Sequence, residues 1–244
     1  MIILTLIGFG FGVLLIVLGV VMNLHKAPKD QAFAALNQSG CNISNFVLPF
    51  TQSFLGPVGV MAVALFDVGN AFICLGGSYS IAAMIQDRSG GISPKKLFVS
   101  FGKSVPLMTY IIMTVLSALK IQLPNPVVEF TGIIANANAF MAMLMIGVGF
   151  RLSGSREQLG DIVRIIGVRY AAGFALALLG WYLLPFPLEY RQALVMCTLA
   201  PIASTAPAFT AELKGDFGLS SAVNSISILI SIVLITGSLL LILV

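Results

Sequence analysis

The stretch Leu36-Asn37-Gln38-Ser39-Gly40-Cys41-Asn42-Ile43-Ser44-Asn45-Phe46-Val47-Leu48-Pro49 decides how this chain folds. It sits within a segment, 31–55, that is otherwise apolar enough to cross a bilayer, yet amides, hydroxyls and Gly40 crowd its middle. Hydrocarbon excludes such groups unless protein or a water-filled cavity surrounds them. Pro49 lacks a backbone donor and opposes a continuous helix through the preceding turn. A second stretch echoes the first: Thr198-Leu199-Ala200-Pro201-Ile202-Ala203-Ser204-Thr205-Ala206-Pro207. Two such stretches predict a pair of broken helices, each with a half-helix N-terminus and its free N–H groups near the membrane midplane. Such ends bind anions, carboxylates included. The plainer alternative is two Pro-kinked helices packed through small residues.

Working outward, the composition supplies the solvent. Of 244 residues 58% are hydrophobic and 9% charged, with a mean hydropathy of +1.03. Soluble domains carry roughly a quarter charged residues, so the bilayer must surround most of the chain. A spanning helix needs about 20 apolar residues, and eight segments qualify: about 2–22, 31–55, 58–86, 97–119, 124–150, 163–184, 188–210 and 217–243. The expected fold class is therefore an all-α polytopic membrane protein forming one domain over 1–244. The first segment lacks the basic n-region of a cleaved signal peptide and is too long for one.

Lys and Arg sort by side. Alternate connections carry Lys26 and Lys29; Arg88, Lys95 and Lys96; Arg151, Arg156 and Arg164; and Lys214, while the others carry Lys120 and Arg191. The positive-inside rule makes the first set cytoplasmic and both termini external. The element order also repeats: plain, broken and long segments at 2–86 recur at 163–243 in the opposite orientation. Inverted repeats with discontinuous helices mark secondary transporters with a midplane substrate site. The second repeat, 97–243, has five helices and the first, 2–86, has three, so the chain reads as a five-plus-five protein lacking its first two.

The residues expected to bind substrate are Asn42, Asn45, Ser204, Thr205 and Asn136, with Pro49 and Pro201 as the crossover prolines. Asp67, about 14 Å into its span at 1.5 Å per residue, forms with Asn70 a coupling or supporting pair. Two roles stay open for Asp67: a proton or cation acceptor, or a structural carboxyl bonded to Asn42, Asn45 or backbone. For Asn136 and Asn138, packing between helices competes with lining a cavity. Lys103 and Arg169 are read as snorkelling to the cytoplasmic interface, with attraction of an anion as the alternative role of each. Cys41, Cys74 and Cys197 lack metal-ligand spacing and read as buried thiols. No His/Cys cluster, phosphate loop or Gly-x-Ser-x-Gly motif is present, so neither an enzyme nor a cofactor is expected. The net charge of +4 is scattered among loops, which argues against nucleic acid.

These residues resemble a family. Asn42 to Pro49 followed by Ala64-Leu65-Phe66-Asp67-Val68-Gly69-Asn70 is similar to the auxin efflux carrier (PIN-like) permeases. So are Met145-Ile146-Gly147-Val148-Gly149-Phe150, Arg169, and Leu199-Ala200-Pro201 with Ser204-Thr205-Ala206. The resemblance implies two inverted five-helix repeats with crossovers in the fourth and ninth helices. It also implies export or exchange of organic anions, such as auxin in plants and dicarboxylates in some bacteria. In its terms 2–86 and 163–243 form a moving transport unit and 97–150 half of a scaffold. The expected setting is a bacterial plasma membrane, with a small organic anion, a coupling proton or cation, lipid and a second copy of the chain as partners. A chain without the proline often found before Leu-Ile-Gly, having Asn138-Ala139-Phe140 instead, departs from that pattern. The competing expectation is a non-transporting membrane fragment or partner subunit, from a mis-assigned start or degraded gene.

Overall fold

The computed structural model describes residues 2–87, 99, 102, 105–149 and 156–242. Lys103 and the basic residues Arg88, Lys95, Lys96 and Arg151 lie outside these. Among the described residues the regular secondary structure is all helical, with no strand. The helices are α1 (Ile2–Val21), α2 (Pro28–Gln38), α3 (Leu48–Phe54), α4 (Gly56–Phe72), α5 (Ser78–Gln86), α6 (Val105–Ala118), α7 (Asn125–Gly149), α8 (Arg156–Leu183), α9 (Leu188–Thr198), α10 (Thr205–Glu212) and α11 (Phe217–Ile242). Two π-helical turns, Ile43–Val47 and Ile73–Gly77, lead into α3 and α5.

Four helices among the described residues are long and apolar enough to cross a membrane: Ile2–Val21, Gly56–Gln86, Gln158–Leu183 and Phe217–Leu241. The segments at 31–55 and 188–210, expected to be broken, are divided. Their halves have 11, 7, 11 and 8 residues. At 1.5 Å per residue no half alone crosses a hydrocarbon core about 30 Å thick.

Burial is distributed as lipid demands and as water forbids. Val233, Val163, Tyr182 and Leu241 are 70–84% exposed, whereas Asn37, Ser80, Arg169, Thr198, Asn224 and Ser227 are fully buried. An apolar exterior around a polar interior is the make-up of a membrane protein. One apolar core joins Leu4, Phe11 and Leu15 of α1, Phe66 of α4, Ile166 and Tyr170 of α8, Leu194 of α9 and Val223 of α11. It encloses the two breaks, and Cys41, Ile43, Leu199 and Ile202 belong to it.

Glycine sets how closely helices approach. A Cβ on Gly69 of α4 would stand 1.9 Å from the Thr5 carbonyl oxygen of α1, and one on Gly173 of α8 would stand 2.5 Å from that of Thr198 in α9. Small residues at such crossings let two backbones meet and maximise dispersion contacts, the main attraction between helices in lipid.

One end of the bundle holds a cavity of about 450 Å³ walled by Lys26, Lys29, Asp30, Asp161, Lys214 and Asp216. The α1–α2 connection, the start of α8 and the α10–α11 connection therefore share that end. Lys26 pairs there with Asp161, their side chains 22% and 27% exposed, and Arg164 donates to the Asn23 side chain at 3.1 Å. A wet pair contributes little, so Asp161→Asn is expected to lower unfolding stability by less than about 1 kcal/mol. Chemical unfolding in detergent checks this, and a larger loss would show that the pair ties α8 to the α1–α2 connection.

Candidate functional site: the crossing of two broken helices

Helix α2 ends at Gln38 because Gly40 takes φ +72°, a left-handed conformation that glycine adopts without steric cost. The chain then bridges at Cys41 and turns tightly at Asn42, the Ile43 N–H donating to the Cys41 carbonyl at 3.0 Å, before turning helical again. The second break, Leu199–Ser204, divides α9 from α10. The two breaks cross antiparallel, with Cys41 opposite Ile202 and the Asn42 N–H donating to the Pro201 carbonyl at 2.9 Å.

An unwound segment leaves backbone groups without helical partners, and buried ones must find others. Each break is served by an asparagine from a neighbouring long helix. Asn70 of α4 is matched to Cys41: its Oδ1 accepts the Cys41 N–H at 2.9 Å and its Nδ2 donates to the Cys41 carbonyl at 2.8 Å. Asn224 of α11 donates to the carbonyls of Ile202 at 3.2 Å and Ala203 at 3.1 Å. Ser227 accepts the Ile202 N–H, and Ser231 donates to the Leu199 carbonyl. Tyr170 braces this face by donating to the Ser227 carbonyl at 2.7 Å.

Between the breaks lies Arg169. Read from the sequence as snorkelling to an interface, it is instead fully buried. Its Nη1 donates to the Gln38 carbonyl at 2.7 Å, and its Nη2 to those of Ala200 at 3.0 Å and Pro201 at 3.1 Å. The Cys41 sulfur lies 3.3 Å from Nη2. Among the described residues no carboxylate pairs with it; the one ion pair is Lys26–Asp161. Three buried donor atoms here lack an acceptor: Gln38 Nε2, Asn42 Nδ2 and Arg169 Nε. On the α11 side Ser221 Oγ and Asn224 Oδ1 are likewise unpaired.

The remaining expected residues are distributed unevenly. Asn42 stands in the first break and is buried; Asn45 is half-buried in the π turn. Ser204 is half-buried at the end of the second break, and Thr205 starts α10, donating to the Cys74 carbonyl at 3.1 Å. Asp67 accepts from Ser44 at 2.7 Å and from Asn70 at 2.9 Å, rather than from Asn42 or Asn45. Pro201 lies within its break. Pro49 does not: it is the second residue of α3, in the first turn after a π turn closed by the Leu48 N–H on the Ile43 carbonyl. The side chains of Asn136 and Asn138 lie outside the described residues. Cys41, Cys74 and Cys197 are free and buried, and no group of three or more metal-ligating side chains occurs among the described residues.

Toward the cavity a second polar cluster joins three elements. Asn37 Nδ2 donates to Thr210 Oγ1 at 3.0 Å, and Ser220 donates to Asn37 Oδ1. Thr210 is a lining residue of that cavity.

Fold and site together define an all-helical membrane protein with a buried polar crossing of two interrupted helices. No protein-family model matches the chain, and comparison with curated proteins finds no match.

Proposed function

We propose that the chain is a secondary transporter of small organic anions, carboxylates above all, in the plasma membrane. One observation carries the reading: a fully buried guanidinium with no carboxylate partner among the described residues, placed where two broken helices cross and beside unpaired amide donors. A buried net charge is costly, and an anion entering from water would neutralise it. Asn42, Asn45, Ser204 and Thr205 are the proposed ligands, with Asp67 and Asn70 as the coupling or supporting pair. In this reading the eight segments form an inverted repeat like that of the auxin efflux carrier permeases, and the helices around the breaks rock against 97–150 to give alternating access. The cavity flanked by Lys26, Lys29 and Lys214 is then the cytoplasmic entrance.

Uptake of labelled dicarboxylates into proteoliposomes tests this. Wild-type flux is expected to be saturable, and Asn42→Ala with Ser204→Ala to reduce it at least about tenfold, the equivalent of about 1.4 kcal/mol. Unchanged flux in that double variant would remove the site assignment, and absence of any dicarboxylate flux would remove the substrate class.

A further inference from the structure

The acceptors around Arg169 have an unusual common character: among the described residues all are neutral. Three are main-chain carbonyls, Gln38 from the first break and Ala200 and Pro201 from the second, and the fourth is the Cys41 sulfur. Asp67, the carboxylate beside the crossing, is engaged by Ser44 and Asn70 instead. Converging carbonyl oxygens from interrupted backbone are the usual means by which proteins hold a desolvated cation. The difference here is that the cation is attached to α8.

We propose that Arg169 is a built-in cation, whose guanidinium latches the two broken helices together and leaves the crossing with no need of an inorganic ion. The planar fork suits this task. Nη1 reaches the first break while Nη2 reaches the second, and a lysine ammonium, whose three donors share one nitrogen, does not span them in that way. Without the guanidinium, the Gln38 and Ala200 carbonyls would lose this donor, and the breaks would be tied across their crossing chiefly by the Asn42–Pro201 bond.

The inference rests on geometry and is independent of the transport reading, because its test reads folding. Purified wild type, Arg169→Lys and Arg169→Ala are melted in detergent at constant ionic strength, in guanidinium, sodium, potassium or choline chloride at tens of millimolar. Wild type is expected to melt at one temperature in all four salts. Arg169→Ala is expected to melt lower and to recover several degrees in guanidinium alone, and Arg169→Lys to melt lower without such recovery. Should Arg169→Ala not fold, the less drastic Arg169→Gln takes its place. A folded Arg169→Ala, or Arg169→Gln in its place, that guanidinium does not raise, or a wild type stabilised by sodium or potassium over choline, would overturn the proposal. A chain that moves no anion but shows the rescue would keep the latch and lose the transport reading.

Discussion

Asn70→Ala is expected to destabilise the protein by about 3–5 kcal/mol, because each buried group left without its partner costs about 1–3 kcal/mol. Asn70 is 2% exposed, and its single amide satisfies both the N–H and the carbonyl of Cys41 while also donating to Asp67. Alanine abandons all three in a medium where water cannot replace them. Asn70→Asp should do no better: it loses the donor that Cys41 needs and sets a second carboxylate against Asp67. Asn224→Ala removes two bonds to the other break and should cost less. The two effects should also be non-additive, since the Asn42–Pro201 bond couples the breaks. Chemical unfolding in detergent measures each, and an Asn70→Ala variant within about 1 kcal/mol of wild type would show that the amide does not hold the first break.

Gly69→Ala should be as damaging for a steric reason. The added methyl would lie 1.9 Å from the Thr5 carbonyl oxygen and 2.7 Å from the Phe9 nitrogen. Both are backbone atoms of α1, so no side chain can swing aside; the helices must separate. Overpacking commonly costs about 1–3 kcal/mol, and a backbone clash lies at or above the top of that range. The separation would also draw Asn70 away from Cys41, since Asn70 is the next residue in α4. Gly237→Ala supplies the contrast, because its methyl meets nothing within 4 Å and alanine favours a helix by up to about 1 kcal/mol. Equal melting temperatures for the two variants would mean that α1 and α4 do not pack through this contact.

Much of this arrangement was legible in the residues themselves. Amides and Gly40 in the middle of an apolar run announce an interruption, and α1 and α11 end within a residue or so of where the apolar runs end. Three features were not legible. Pro49 suggested the place of the first break, but a proline in the first turn of a helix is as much a beginning as an obstacle; the left-handed Gly40 is the interruption. The third span was read as continuous, yet it passes through the π turn at Ile73–Gly77, for which Gly76-Gly77 was the available signal. The depth of Arg169 is hidden because the polar turn Arg156-Glu157-Gln158 has the composition of a loop. It is the first turn of α8, which puts Arg169 in the middle of a 28-residue helix. Its partners are main-chain carbonyls more than thirty residues away in either direction, and no side-chain pattern encodes those.

The three cysteines, each buried beneath neighbouring side chains, have a practical bearing on how motion in this protein could be followed. Maleimides and spin labels need a thiolate they can reach, and Cys41, Cys74 and Cys197 all withhold theirs. The natural chain therefore offers a chemically quiet background for fluorophores or nitroxides. A single thiol introduced at exposed Leu24, beside the cavity end, or at exposed Val233 on α11 would report alone, and distances between such probes would record whether the bundle opens at one end.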